Sequence, residues 1–314
     1  MSHSLKGNLT YEILTKAERE GYGILAQTCY DAQSVIALVR AAERNRSPVI
    51  LQIFPVTLAY GKGPFLRFCL DASVFLIIKT LLPYPWDISD IQTRASAHQA
   101  SVPIAVHLDH ATDPEHIELA LSLAEQGIAF DSIMVDASHA ETDEENIALA
   151  QPHIERAAKC GVLVEVELGR LEGGEAGLRV ISDAKLTNPA KAETFMNETG
   201  ALILSPSIGN LHGLYLNPPN FRQDILKELK GRFQGKIPLC LHGTDGVSDE
   251  LFRECIKNGI SKINVNSAVR DVYVKSLASA LQTKPFPDAI EEATEVFAGV
   301  CDRFFEVFGS KGKA

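Results

Sequence analysis

The chain has 314 residues, of which 46% are hydrophobic and 22% are charged, and its formal net charge is -10. This composition is typical of a folded globular protein and excludes a disordered chain. The acidic balance argues against nucleic acid or an anionic membrane as the main partner, although a local site can still bind a phosphorylated substrate.

Short apolar runs recur along the chain, and a polar stretch with helical character follows each of them. Continuous rather than alternating hydrophobicity is typical of strands that are buried on both faces of a parallel sheet. We predict strands over residues 22–29, 48–54, 103–109, 132–138, 162–169, 201–207, 239–243 and 262–266.

The stretches between these runs carry the start and stop signals of helices. Predicted helices cover residues 31–44, 113–126, 143–159 and 248–258. Asp31 and Asp113 stand at N-cap positions, and Pro114 follows in the first turn, where proline is favoured. Gly259 ends the last of these helices.

Eight strand–helix repeats predict an α/β protein, a (β/α)8 TIM barrel that forms a single domain over residues 1–314. A doubly wound open sheet is the alternative. No GxGxxG follows the first strand and no GxxxxGK[ST] occurs, so the sequence does not support a nucleotide-binding phosphate loop.

The stretch at residues 68–86, FCLDASVFLIIKTLLPYPW, is unusually apolar. Asp71 and Lys79 interrupt it, and its uninterrupted run VFLII is far shorter than the roughly 20 residues that cross a bilayer. We therefore expect no membrane partner.

The six cysteines are widely spaced and form no CxxC pair, and the first twenty residues lack the apolar core of a secretory signal. We expect reduced thiols in a cytoplasmic protein.

Polar residues lie at the carboxyl ends of six predicted strands, which is the end of a barrel where catalytic residues lie. These residues are Asp109, His110, Asp136, Ser138, Glu165, Glu167, His212, His242 and Asn264. A catalytic zinc site typically takes three protein ligands and leaves one position open for substrate. The three histidines are therefore candidate zinc ligands, and the alternative is that backbone groups satisfy each imidazole.

Asp109 directly precedes His110, so its carboxylate would lie close to a substrate held at the metal. A carboxylate there can move a proton on or off a hydroxyl group. The alternative role is an N-cap for the next helix, but Asp113 already serves that purpose. The runs IGNLHG (208–213) and LHGTDG (241–246) place glycines beside histidines. Backbone N–H groups in such loops suit phosphate binding, although a glycine-rich turn after a strand is common.

In combination these motifs resemble the class II (zinc-dependent) fructose-bisphosphate and tagatose-bisphosphate aldolase family. The similarity covers nearly the whole chain, in the family's order and spacing. It is carried by PVILQ (48–52), VPIAVHLDHATD (102–113), SIMVDASHAETDEENI (132–147), GVLVEVELGRLEGGEAG (161–177), ETGALILSPSIGNLHGLY (198–215), LHGTDGVSDE (241–250), GISKINVNSAVR (259–270) and FFEVFGSKGKA (304–314).

The resemblance implies a zinc-dependent aldehyde-lyase of carbohydrate metabolism. Its reaction would be the reversible cleavage of a ketose phosphate, such as fructose 1,6-bisphosphate, into dihydroxyacetone phosphate and glyceraldehyde 3-phosphate. Zinc would polarise the ketone as a Lewis acid. The resemblance also implies a homodimer or homotetramer, and a monovalent cation, which many members use.

The resemblance assigns roles to individual residues. His110, His212 and His242 match the zinc ligands, and Asp109 matches the carboxylate that exchanges a proton with the C4 hydroxyl group of the ketose. Asp136 and Glu167 match acids that hold the metal in an alternate position or orient its ligands.

The candidate substrate contacts are Gly213, Gly243, Thr244, Asp245, Asn264 and Ser267. Asn264 matches a substrate-contacting asparagine of the family, and Ser267 keeps the hydroxyl group of its threonine. Where the family has a Gly-Gly-Ser that holds the C1 phosphate, this chain has Gly243, Thr244 and Asp245, and an aspartate repels a phosphate dianion.

Other positions also depart from the family. Phe54 replaces the usual serine after the second strand, and Gln27-Thr28 replaces Phe-Asn after the first. The arginine-containing segment that helps to hold the second phosphate has no clear match in residues 281–290. The loop after strand five is shortened, and Glu175 is the candidate for its catalytic acid; the alternative is a solvated loop acid.

Metal and proton chemistry therefore look retained, while phosphate recognition is altered. The first alternative is a diverged aldolase for a singly phosphorylated or unphosphorylated ketose or keto acid. The second is a catalytically inactive barrel that binds a sugar phosphate or a partner protein, and the third is another metal-dependent barrel lyase or hydrolase. A Schiff-base aldolase is disfavoured because Lys262 begins the eighth strand, at the opposite rim.

The segment near 68–86 has no counterpart in the family pattern. It is interpreted either as a lid or interface insertion, or as a gene-model error such as an in-frame retained intron.

Overall fold

Eight parallel strands close into a barrel, and each overlaps one of the predicted apolar runs. The computed structural model describes residues 7–73, 100–173 and 184–314. The barrel strands, in the order in which they pair, are β1 (Ile24–Thr28), β2 (Val49–Ile53), β3 (Ile104–Ala111), β4 (Ser132–Val135), β5 (Leu163–Leu168), β7 (Ile203–Pro206), β9 (Leu239–Leu241) and β10 (Ile260–Val265), and β10 pairs with β1. The prediction of a (β/α)8 barrel is confirmed.

Helices cover the outside of the barrel and its amino end. They are α1 (Leu9–Glu20), α2 (Ala32–Asn45), α3 (Pro55–Ser73), α4 (Pro114–Glu125), α5 (Asp143–Lys159), α6 (Pro189–Thr199), α7 (Gln223–Phe233), α8 (Asp249–Lys257), α9 (Ser267–Ala280) and α10 (Phe286–Val307). The four helices predicted individually correspond to α2, α4, α5 and α8. The Asp113 carboxylate accepts a hydrogen bond from the backbone N–H of Glu115, so Asp113 caps α4 as expected and Asp109 does not.

Two further strands have only two residues each and lie outside the barrel. They are β6 (Glu172–Gly173) and β8 (Leu211–His212), which pair in parallel with Gly173 opposite His212. The pairing fixes the backbone that carries one of the candidate metal ligands.

The amino end of the barrel is closed by helix α1. Ile13, Leu14 and Ala17 of this helix are buried against an apolar cluster that includes Ile24 and Ile50 from inside the barrel. A hydrogen bond of 2.9 Å joins Thr10 Oγ1 to Ser132 Oγ at the same end. Because α1 covers the amino end, a ligand can reach the polar side chains of the described barrel interior from the carboxyl end.

Part of the apolar segment predicted near residues 68–86 lies in helix α3, which ends at Ser73, and residues 74–86 are outside the described part of the chain. In the part that the structure describes, no helix is long and apolar enough to span a membrane. All six cysteines are free thiols, and five of them are buried.

Candidate active site

A bulge in strand β3 places two consecutive polar residues on the inside of the barrel. Side chains of a strand normally alternate between its faces, so Asp109 and His110 should point in opposite directions. The pairing of β3 with β4 shifts register between Leu108 and Ala111, and His110 has a backbone φ of 47°. A β-bulge re-aims a side chain in this way. Asp109 and His110 are consequently both buried at the carboxyl rim.

Three histidines meet at this rim. His110, His212 and His242 each offer a ring nitrogen within 4.8 Å of the other two. Nε2 of His110 lies 2.8 Å from Nδ1 of His242. Nε2 of His212 is buried and has no hydrogen-bond partner among the described residues. Converging imidazole nitrogens with an unpartnered lone pair fit a cation such as zinc.

Carboxylates orient two of these imidazoles. Nδ1 of His110 lies 3.0 Å from Asp136 Oδ2, and Nε2 of His242 lies 2.8 Å from Glu165 Oε1. Hydrogen bonds of this kind fix the ring and its tautomer, leaving the other nitrogen free for a metal. Burial holds the pKa of His212 well below its usual value, so this imidazole is neutral, as a metal ligand must be.

Asp136 and Glu167, the two acids predicted to hold the metal or to orient its ligands, lie beside the three-histidine cluster. Burial raises the pKa of Glu167 to about 8, and the charge of Asp136 adds to this effect. One oxygen of Glu167 is buried without a hydrogen-bond partner among the described residues. Both acids line a cavity of about 450 Å³, together with His110, His212 and Gly173.

Asp109 is held by two amide side chains. Asn264 Nδ2 donates to its carboxylate at 3.0 and 3.1 Å, and Gln52 Nε2 donates at 3.1 Å. Burial by itself would raise the pKa of Asp109, but the protonated form of His110 and the ammonium of Lys262 outweigh it and lower the pKa. A metal ion bound to neutral His110 would lower the pKa of Asp109 in the same direction. The carboxylate is therefore ionised and fixed in orientation beside the histidines.

The structure brings most predicted substrate contacts into a second, smaller cavity. It is lined by Asp109, Gly213, His242, Gly243, Thr244, Asp245 and Asn264, together with Thr28, Phe54 and Asn266. Ser267 approaches through a hydrogen bond with the Asp245 carboxylate. Burial raises the pKa of Asp245, and the Ser267 hydrogen bond opposes that rise.

Gly243 is required by its position. Its φ is 66°, and a Cβ added there would lie 2.2 Å from the carbonyl oxygen of Leu211. Any side chain would therefore push away the strand that carries His212. The loop acid Glu175 lies outside the described residues, two positions after Gly173.

An ion pair beneath the three-histidine cluster has no counterpart among the sequence predictions, and its lysine lies further along its strand than predicted. Lys262 is the third residue of β10, not its first, and its side chain is fully buried inside the barrel. Its Nζ lies 2.8 Å from Glu165 Oε2. The available signal was a lysine within a predicted strand, two residues before Asn264 and therefore on the same face of the strand.

A closed parallel barrel with three histidines and a buried carboxylate at its carboxyl rim defines a barrel enzyme with a candidate metal centre. The family model described as fructose-bisphosphate aldolase class-II matches residues 8–313. The chain belongs to this family and is a class II aldehyde-lyase.

Relatives agree with this assignment over nearly their full lengths. A provisionally named fructose-bisphosphate aldolase of Coccidioides immitis is 34% identical over 99% of this chain and 96% of the relative. The fructose-bisphosphate aldolase of Thermus caldophilus is 32% identical over 96% of this chain and 98% of the relative. A crystal structure of a provisionally named fructose-1,6-bisphosphate aldolase from Coccidioides immitis superimposes with a TM-score of 0.86 at 33% identity. It covers 98% of this chain and 99% of that chain.

Proposed function

We propose that this protein is a zinc-dependent aldolase that reversibly breaks the carbon–carbon bond between the donor ketone and the acceptor aldehyde of a ketose. The family's reaction on fructose 1,6-bisphosphate is the first one to test. The observation that carries the proposal is the position of Asp109, which shares a cavity with His242 and lies beside the three-histidine cluster.

The residues present fit a zinc ion. Three imidazoles converge, and a buried nitrogen of His212 has no hydrogen-bond partner among the described residues. Carboxylates orient the other two imidazoles, those of His110 and His242. When bound there, zinc would act as a Lewis acid on the substrate ketone and stabilise the negative charge that develops on its oxygen. Asp136 and Glu167, which line a cavity with His110 and His212, would hold the ion in a second position.

The protein's own side chains would handle the protons. Asp109 accepts the proton of the hydroxyl group whose carbon becomes the aldehyde, because its carboxylate is ionised and aimed by Asn264 and Gln52. In the reverse direction it returns that proton. Glu175 is the proposed loop acid that exchanges the proton of the donor carbon.

The proposal is tested by elemental analysis of the purified protein, with fructose 1,6-bisphosphate cleavage assayed before and after chelation. We expect about one zinc per chain, as three protein ligands at a single site imply. Replacement of His212 by alanine should abolish both zinc binding and cleavage. Replacement of His153 on α5, a histidine outside the cluster, should preserve both.

Each outcome has a defined meaning. Zinc with chelator-sensitive cleavage supports the full proposal. Zinc without cleavage of the bisphosphate supports the metal site and moves the substrate to ketoses with fewer phosphates. Absence of zinc overturns the metal site and favours a catalytically inactive barrel that binds its ligand without cleaving it.

We further propose a cytoplasmic location and a homodimeric or homotetrameric assembly, with a monovalent cation as an additional cofactor. These proposals rest on the family to which the chain belongs. Sedimentation analysis and activity in sodium, potassium and choline salts test the last two.

A further inference from the structure

The small cavity beside the histidines is bounded by two carboxylates. Asp109 and Asp245 both contribute to its wall, together with His242, Asn266 and Thr28. No lysine or arginine lines it among the described residues. The cavity therefore offers hydroxyl, amide and carboxylate groups to whatever occupies it.

Arg270 is a cation whose charge lowers the pKa of Asp245, and this arginine has other partners. Its guanidinium lies 2.8 Å from the carboxylate of Asp271 and also forms a hydrogen bond with Tyr30. The direct partner of Asp245 is the hydroxyl group of Ser267. Asp245 thus keeps an acceptor carboxylate at the wall of the cavity, where a phosphate dianion would meet a like charge.

The cavity is also small. Its volume is about 10 Å³, which is room for about one water molecule. Phe54 forms part of the wall and is almost fully buried. Its ring is packed between Tyr30, at 6.1 Å between ring centroids, and His110, at 6.3 Å. A hydroxyl oxygen has the size of a water molecule, whereas a phosphate group brings three further oxygens.

We propose that the donor substrate of this site is an unphosphorylated hydroxymethyl ketone of the dihydroxyacetone class, and that Asp245 selects it. The Asp245 carboxylate accepts a hydrogen bond from the terminal hydroxyl group of the ketone and repels a phosphate at the same position. This inference rests on the proposed aldolase function and specifies its donor. Asp245 is a specificity-determining residue and takes no part in the proton transfers.

The chemistry needs no additional reactant. A C–H bond of the hydroxymethyl carbon breaks, its proton passes to a protein carboxylate, and the electron pair is delocalised onto the ketone oxygen. In heavy water the carbon regains a deuteron from the solvent. Exchange of this hydrogen reports donor recognition without any acceptor aldehyde.

The experiment measures this exchange by NMR in heavy water, using zinc-loaded protein with either dihydroxyacetone or dihydroxyacetone phosphate, and chelated protein as the blank. We expect kcat/KM for exchange to favour dihydroxyacetone by at least about tenfold. The variants Asp245→Ser and Asp245→Asn should shift this preference toward the phosphate ester by at least about tenfold. The matched control Glu250→Gln, which removes a largely exposed acid five residues further along the chain, should change the preference by less than about twofold.

Faster exchange of the phosphate ester by the unmodified protein would overturn the inference and leave the aldolase proposal intact. An unchanged preference in both Asp245 variants, with zinc content and thermal unfolding preserved, would also overturn it. Exchange of neither ketone, together with no cleavage of any ketose, would instead refute the aldolase function on which the inference rests.

Discussion

His110 is held in a backbone conformation that a non-glycine residue adopts at a cost of about 1–2 kcal/mol. Its φ of 47° lies in the left-handed region and coincides with the register shift in β3. Because of this shift, the side chains of two adjacent residues, Asp109 and His110, both point into the barrel interior at its carboxyl end. One short segment thereby supplies both a proposed metal ligand and the proposed proton acceptor, and the rest of the fold sustains the strain.

Replacement of Asp109 by asparagine tests the proton-transfer role. The asparagine keeps the size of the side chain but cannot accept the hydroxyl proton, so we expect kcat to fall by about 10²–10⁴. Zinc content should be unchanged, because Asp109 is not one of the three converging imidazoles. Steady-state cleavage rates and elemental analysis measure the two quantities.

The control is Asp113→Asn, four residues further along the chain, where asparagine caps a helix as well as aspartate does. That variant should retain its rate. A rate for Asp109→Asn within threefold of the unmodified protein would rule out the assigned role.

Gly243 permits a close approach that can be tested against a second glycine. An alanine Cβ at position 243 would lie 2.2 Å from Leu211 O, whereas at Gly246 nothing lies within 4 Å. Both glycines have positive φ, at 66° and 79°, so both substitutions carry similar backbone strain. Only Gly243→Ala should displace β8 and His212, and so weaken zinc binding by at least about tenfold, the effect expected when a ligand's support is lost. Competition with a fluorescent chelator measures both affinities, and equal losses in the two variants would contradict the steric argument.

Much of the candidate site could be anticipated from residue types at strand ends, and the limits have physical causes. Asp109, the three histidines and Asn264 are predictable because polar residues at, or shortly beyond, the carboxyl ends of parallel barrel strands lie at one rim. The bulge that turns His110 inward has no sequence signature. The partners of Lys262 and Glu165 depend on which strands become neighbours across the barrel, and local patterns do not contain that information.

At the scale of elements, strands β5 and β10 are joined across the barrel interior by the Glu165–Lys262 ion pair. Both side chains are fully buried, with 2.8 Å between Oε2 and Nζ. Burial raises the pKa of Glu165, but the ammonium of Lys262 outweighs this effect and holds the pKa well below its usual range. The pair is therefore ionised, and Glu165 can accept the hydrogen bond of His242 as a carboxylate.

Replacement of Lys262 by methionine should destabilise the fold by about 3–5 kcal/mol, because it leaves Glu165 as an uncompensated buried charge. Denaturant unfolding of the zinc-loaded protein measures this loss. The double variant Glu165→Gln, Lys262→Met removes both charges and should recover part of the lost stability. If Lys262→Met alone lost less than about 1 kcal/mol of unfolding free energy, Glu165 would not be an uncompensated buried charge in that variant.

The eight barrel strands were predictable because a strand buried on both faces reads as a continuous apolar run. Strands β6 and β8 were not, since two residues carry no periodicity. The predicted start of β10, at residue 262, lies two residues after its observed start, because Ser261 interrupts the apolar pattern although its side chain is buried.

At the scale of the whole molecule, the amino and carboxyl ends of the barrel differ in character. The amino end is covered by α1, and the carboxyl end carries the candidate metal ligands and the acids beside them. Asp131 belongs to the amino end, where its carboxylate accepts the backbone N–H of Val106 at 2.7 Å and its carbonyl accepts Asn8 Nδ2, also at 2.7 Å. Asp131 thus ties α1 and β3 together, at the end of the barrel opposite the candidate active site.

Asp131 should make the stability of the protein depend on pH in a direction opposite to that of the paired carboxylates. Burial raises its pKa from 3.8 to about 6. Below pH 3.8 the carboxyl group is protonated in both folded and unfolded chains, so it has no effect. Between these values the unfolded chain releases the proton first, so stability falls as pH rises. The full cost, present above pH 6, is at most about 3 kcal/mol, and less because Asp131 is only half-buried.

Asp131→Asn removes this cost, because its amide oxygen can still accept the Val106 hydrogen bond and it cannot ionise. We expect the variant to be more stable than the unmodified protein at pH 7.5, and the advantage to shrink steadily toward pH 4.5. Unfolding of both proteins at matched pH and saturating zinc isolates Asp131, since the other titrating groups are shared and cancel in the difference. The exposed Asp224, paired with Arg222, provides the control, and Asp224→Asn should show little pH-dependent difference. A stability difference for Asp131→Asn that stays constant across this range would mean that the carboxylate at the amino end is already stabilised as an anion.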